Sequence, residues 1–145
     1  MKITFTIKGN HEDPIGNPLP KIKKTRNSYW TPEAQRYNQW KRYVQMQYLE
    51  GAHPKLPAVE YDATKRRIAS GKKPIALPAG AKAHMRIHIS WKNGAHGDPE
   101  NVFGSIADAL FENDKNLAGS FDFEPDGDGI GRAEVHIAIS KPHQK

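Results

Sequence analysis

Three observations on the sequence predict a single α+β domain. The segments KITFTIK, AHMRIHISW and RAEVHIAIS alternate apolar with polar residues, the period of a strand with one buried face. Two further segments, opening at Thr31-Pro32-Glu33 and at Asp98-Pro99-Glu100, place apolar residues at helical spacing behind a capping side chain and a proline suited to the first turn. The 145 residues suffice for one core that buries roughly 68–70% of the unfolded surface, and are few for two.

In order along the chain, Ile3, Phe5 and Ile7 form the inward face of a first strand. From Gly9 to Tyr29 the turn residues Pro14, Gly16, Pro18 and Pro20 precede the basic run Lys21, Lys23, Lys24 and Arg26, which reads as a surface loop. The Thr31 helix runs to about Glu50 and stops at Gly51, with Tyr37, Trp40, Val44 and Tyr48 as packing residues. Residues 52–81 are rich in proline, glycine and basic side chains, including Lys65 to Arg67 and Gly71 to Lys73, with a short helix over Tyr61 to Ala69. The segment reads either as a DNA-facing arm or as a solvated connection. Met85, Ile87, Ile89 and Trp91 form the inward face of a second strand. Val135, Ile137 and Ile139 do so for the last one, with GSFDFE as its hairpin partner and residues 141–145 as a frayed tail.

The absence of cysteine excludes disulfides, zinc-thiolate sites and thiol nucleophiles, and permits a reducing cytoplasm. No stretch approaches the ~20 apolar residues of a membrane span, and the N-terminus lacks the run of a signal peptide, so a protein without membrane association is expected. Charge is divided unevenly. Residues 1–97 carry 18 Lys/Arg against 6 Asp/Glu, residues 98–128 carry 1 against 9, and residues 129–145 carry 3 against 1. A basic body favours a polyanion, most simply nucleic acid, because each neutralised phosphate releases counterions. Such a polyanion would be repelled by the acidic island unless a cation sat on it.

That island, HGDPENVFGSIADALFENDKN, predicts a helix from about Pro99 to Glu112 with Val102, Phe103, Ile106, Ala109 and Leu110 as its apolar stripe. Glu100, Gly104 and Asp108 share one face, beside Asn101 and Ser105; Asp98 precedes the helix and Asp114 follows it. Two carboxylates ~4 Å apart at an effective dielectric of ~20 repel by about 4 kcal/mol, so a close group of acids favours a cation. Magnesium suits such donors, binding through a few carboxylates while keeping exchangeable waters. Helix capping and dipole compensation explain the same acids without any ion.

The stretch GDPENVFGSIADALFENDKNL resembles the RusA-type crossover-junction endonucleases, the Holliday-junction resolvases of bacteria and their phages. Their pattern is Asp-x-Asp-Asn leading into a helix that ends Asp-Ala-Leu, then a further acid after a short turn. Asp98-Pro99-Glu100-Asn101, Asp108 to Leu110 and the Asn113-Asp114 pair occupy these positions. A first strand, the GNP and PK turns and YWTPEAQRY agree more loosely. The resemblance implies a RusA-like α+β fold with a mixed sheet, a cytoplasmic homodimer on four-way DNA junctions, and magnesium-dependent nicking in recombination and repair, with manganese as a substitute ion. It implies Asp98, Glu100 and Asp114 as catalytic metal ligands, with Asn101 and Asp108 in support. Lys21, Lys23, Lys24, Arg26 and Lys115 are the expected DNA contacts. Where the family commonly has a lysine three positions after the asparagine, this chain has Gly104; Lys115 or a base of the Lys21 to Arg26 loop is the candidate replacement. The same departure motivates the alternative of a junction-binding accessory protein without catalysis.

DFEPDGDGIGRAE offers a calcium-loop alternative through Asp122 to Asp128, but its twelfth position is Ala133 and its flanks are strand-like, so a glycine-rich hairpin turn is expected. His84, His88 and His136 suggest zinc, yet strand residues four apart stand about 13 Å from each other. Exposed or phosphate-facing histidines are the expectation.

Overall fold

The alternating segments become a sheet whose large apolar residues face one way. The computed structural model describes residues 2–21, 31–52, 56–92, 97–113, 115–124 and 129–140. In chain order it contains β1 (Lys2–Lys8), α1 (Pro32–Ala52), α2 (Ala58–Ala69), β2 (Lys82–Ser90), α3 (Pro99–Leu110), β3 (Leu117–Glu124) and β4 (Arg132–Ser140). The strands form one mixed sheet in the order β1-β4-β2-β3, in which only β2 and β3 run parallel. The described residues thus make a single α+β domain of four strands and three helices. Among them no helix is long and apolar enough to cross a membrane.

Register aligns Ile3, Phe5 and Ile7 with Ile137, Val135 and Ala133, and these with Met85, Ile87 and Ile89. All are buried, together with Tyr37, Trp40, Val44 and Tyr48 of α1 and Val102, Ile106, Ala109 and Leu110 of α3. α1 and α3 therefore cover one face of the sheet. The opposite face, which carries Thr4, Thr6, His84, Arg86 and His136, is open to solvent.

α1 starts as its capping sequence dictates, with the Ala34 N–H donating to Thr31 Oγ1 at 3.1 Å. Its end differs from expectation, because Gly51 lies within the helix. A Cβ at that position would come within 2.2 Å of Phe5 Cβ, so this glycine lets α1 approach β1 rather than ending the helix. α2 begins at Ala58, a turn earlier than Tyr61. Beyond it the chain is no free loop: Ile75 N–H donates to the Leu110 carbonyl at 2.9 Å, and Glu112 N–H to the Ile75 carbonyl at 2.8 Å. The connection is stapled to the C-terminal end of α3.

The expected hairpin between GSFDFE and the last strand is replaced by a crossover. β3 pairs with β2, and β2 stands between β3 and β4, so β3 and β4 are not hairpin neighbours. A parallel pair needs a long connection, which α3 supplies. Phe103 of α3 fixes β3 in place, its ring filling the position that a side chain on Gly119 would need.

Gly51→Ala tests the α1–β1 approach. Alanine's helix propensity would stabilise an open site by about 1 kcal/mol, whereas overpacking against Phe5 costs about 1–3 kcal/mol. A lowered melting temperature in circular dichroism is expected; a raised one would show that the close approach is not obligatory.

Candidate functional site

The acids at the start of α3 are placed by local rules. Asp98 is the N-cap, Pro99 the first helical residue, and Asp98 Oδ1 accepts from Glu100 N–H at 2.9 Å. Its carbonyl accepts from Val102 N–H at 3.2 Å. Glu100 lies in the first turn, where the helix dipole favours negative charge. Both carboxylates are exposed, and among the described residues neither pairs with a lysine or arginine. The cap engages one oxygen of Asp98, so its other oxygen and the Glu100 carboxylate both face solvent.

A buried hydrogen-bond node fixes this helix end. Ser105 is fully buried; its hydroxyl accepts from Trp40 Nε1 at 3.0 Å and donates to the Leu19 carbonyl at 2.7 Å, with the Val102 carbonyl also at 2.9 Å. α1, α3 and the proline-rich loop therefore meet at one hydroxyl. Two residues further on, Lys21 N–H donates to the Asn101 carbonyl at 2.8 Å. The Lys21 side chain then runs across Gly104, where an added Cβ would meet its Cδ at 3.4 Å. A loop lysine thus lies over the helix position at which the sequence lacks one.

The remaining expected residues divide. Asp114 lies outside the described residues, as do Lys23, Lys24 and Arg26. Asn113 and Lys115, which flank Asp114, follow the C-terminal end of α3, and twelve helical residues span about 18 Å. Lys115 is therefore a helix length from Asp98, whereas Lys21 meets α3 at Asn101 and Gly104. Asn101 is exposed and contributes its carbonyl to Lys21. Among the described residues, no group of three or more His, Asp or Glu side chains is gathered as a metal site. The described carboxylates at this end, Asp98 and Glu100, suit a cation that takes few protein ligands and many waters.

Asp108, two turns from Glu100, belongs to a different cluster. Tyr37 Oη donates to its Oδ2 at 2.8 Å, Lys73 Nζ lies 3.0 Å from Oδ1, and Lys41 Nζ lies 3.7 Å from Oδ2. Burial pushes the carboxyl up, but the hydrogen bonds from Lys73 and Tyr37 and the charges of Lys41 and Lys73 outweigh it and hold it below the usual carboxylate range. Burial and the same carboxylate push the Tyr37 hydroxyl well above its ordinary value. Glu112 holds Arg67 at 3.5 Å and accepts from Lys73 N–H at 2.9 Å. Part of the basic connection is thus neutralised by acids on α3 and just beyond its end. Sequence reasoning misses this cluster because the partners of Asp108 lie 35 to 71 positions from it. Beside it, Lys41, Arg42 and Lys72 line a groove of about 540 Å³ between α1 and α2.

The calcium and zinc alternatives find other roles for their residues. Asp122 and Glu124 lie on β3, where His88 Nδ1 stands 2.5 Å from Asp122 Oδ1 and Nε2 stands 3.3 Å from Glu124 Oε1. The hydrogen bond to Asp122 raises the His88 imidazole, against a smaller opposing effect of burial. His88 is therefore held between two acids rather than presented to phosphate, and His136 sits 3.3 Å from Thr4 Oγ1. Asp126 and Asp128 lie outside the described residues. With this geometry in hand, comparison with known proteins adds nothing: no protein-family model matches the chain, and no curated protein matches it.

Asp108 makes stability depend on pH. A carboxyl whose folded pKa is depressed stabilises the fold above the ordinary carboxyl value of 3.8, and that contribution is lost as pH falls through the lowered value. Asp108→Asn should therefore cost on the order of 2 kcal/mol at neutral pH, with its melting curve converging on the wild type in acid. Equal differences at pH 7 and pH 2 would contradict the assignment.

Proposed function

We propose that this chain is a magnesium-dependent endodeoxyribonuclease of the RusA type that nicks four-way DNA junctions. The observation that supports it most is the pair of exposed carboxylates, Asp98 and Glu100, without a basic partner among the described residues of a strongly basic chain, with Lys21 laid across Gly104 a turn further along the same helix. Asp98, through the oxygen not used in capping, and Glu100 would hold the ion, with manganese as a substitute. When bound, such an ion supplies charge neutralisation at phosphate and a more acidic water. Lys21 contacts the phosphate next to the one being cut and takes the place of the missing helix lysine. Arg42 and Lys72, in the α1–α2 groove, grip the DNA backbone further away, and a cytoplasmic homodimer presents two such sites to a two-fold junction.

A second reading is favoured by one specific observation. The helix position at which the resembled family commonly carries a lysine is Gly104 in this chain. A protein that binds junctions and has lost cleavage fits that departure.

A synthetic four-way junction decides between them. The nuclease reading expects nicking with magnesium, none without it, and an Asp98→Asn variant that binds the junction yet does not cut it. Lys21→Ala should lower cleavage by on the order of 10²-fold, while Lys115→Ala leaves it nearly unchanged. Binding by the wild type without nicking under magnesium or manganese would establish the accessory reading instead.

A further inference from the structure

Between α1, α2, the connection that follows α2 and the end of β4 lies a pocket of about 470 Å³. Tyr48, Thr64, Ile75, Leu77 and Ile139 form much of its wall. Ile75 also staples the connection to Leu110, so the pocket belongs to the C-terminal end of α3, a helix length from Asp98 and Glu100. Its volume falls in the range of small-ligand sites, which are mostly apolar with a few placed polar groups.

The polar groups of this pocket are sorted by type. The Thr64 hydroxyl donates to the Glu60 carbonyl at 2.9 Å, and the Ser140 hydroxyl to the Lys82 carbonyl at 3.1 Å. Pro74 and Pro78 have no N–H to offer. The N–H groups of Ile75 and Ala81 are engaged by the Leu110 and Pro78 carbonyls. These donors are therefore occupied.

Two groups on the wall have no partner among the described residues, the Tyr48 hydroxyl and the Glu60 carboxylate. Tyr48 is only 3% exposed, and its ring meets Phe5 edge-on with centroids 5.5 Å apart. A buried tyrosine hydroxyl ordinarily finds a hydrogen-bond partner. Burial, and after it the charge of Glu60, push this hydroxyl up to about 12, so it stays neutral at physiological pH. Glu60 is the one charged side chain on the described wall, although the chain carries a net +6. Phosphate and carboxylate ligands would be repelled by it.

We infer that this pocket binds a small organic ammonium ion, with its apolar body against Ile75, Leu77 and Ile139 and its N–H groups donating to the Glu60 carboxylate and the Tyr48 hydroxyl. An ammonium group carries donors and no acceptor, which matches a pocket whose own donors are engaged. A neutral apolar molecule would desolvate the same two groups without satisfying them. The inference uses neither a metal nor DNA and stands apart from the nuclease reading.

Phenethylammonium titrated into the full chain tests it, with the methyl resonances of Ala63, Ile75, Leu77 and Ile139 followed by nuclear magnetic resonance. Those resonances should shift saturably. 2-Phenylethanol, with the same body and no charge, should bind about tenfold more weakly, and 3-phenylpropionate should not bind in the same range. Glu60→Gln keeps the main-chain carbonyl that holds Thr64 and should bring the ammonium down to the affinity of the alcohol. Tyr48→Phe should weaken the ammonium without lowering the melting temperature of the free protein, because the hydroxyl has no partner to lose. Absence of a saturable shift up to the low millimolar range overturns the inference, as does equal binding of the propionate or an ammonium affinity unchanged in Glu60→Gln. A melting temperature lowered in Tyr48→Phe would overturn it too, by showing the hydroxyl already engaged. Shifts centred on Asp98 and Glu100 would assign the cation to the acids of α3 instead.

Discussion

One buried hydroxyl sets the geometry on which the site depends. Ser105 sits at zero exposure between Trp40 and the Leu19 carbonyl, and no water is needed to satisfy its hydrogen-bonding capacity. Because unsatisfied polar groups are costly in a core, this arrangement admits little sliding of α3 against α1. The loop that ends at Leu19 is fixed by the same bond, and two residues later it carries Lys21 onto the first turns of α3. A cation from one segment and carboxylates from another are thereby held on a rigid common base. Neither the helix cap nor the loop alone would do this.

The distribution of charge follows from the same frame. Acids on α3 serve two ends differently. Toward the C-terminal end, Asp108 and Glu112 neutralise Lys41, Lys73 and Arg67 and tie the 52–81 connection to the domain. Toward the N-terminal end, Asp98 and Glu100 have no such partner among the described residues. An acidic helix in a basic protein is thus partly architecture and partly an exposed anionic spot, and only the second part bears on chemistry with phosphate.

Strands β1, β2 and β4 are legible in the sequence because a sheet with one covered face imposes strict alternation, and their bounds agree with KITFTIK, AHMRIHISW and RAEVHIAIS to within a residue. The start of α1 is legible because Thr31 and Pro32 satisfy backbone rules that act within one turn. Strand order is not local. FDFE alternates as a strand should, but its pairing with β2 rather than β4 depends on α3 crossing over and on Phe103 filling the space above Gly119. Gly51 shows the same limit: as punctuation it reads as a stop, whereas its cause is the Phe5 side chain 46 positions away in the chain. At the site, the capping role of Asp98 and the exposure of Glu100 follow from sequence. The lysine laid over Gly104 and the ring of partners around Asp108 do not, since they arise from packing between distant segments.

The central claim is that the N-terminal end of α3 receives a divalent cation. Manganese titration followed by amide line broadening in nuclear magnetic resonance spectra tests it most directly. The account predicts saturable broadening centred on Asp98, Glu100 and Asn101, extending to Lys21 and reversed by excess magnesium. Broadening centred on Asp122 and Glu124, or none that saturates, would contradict it.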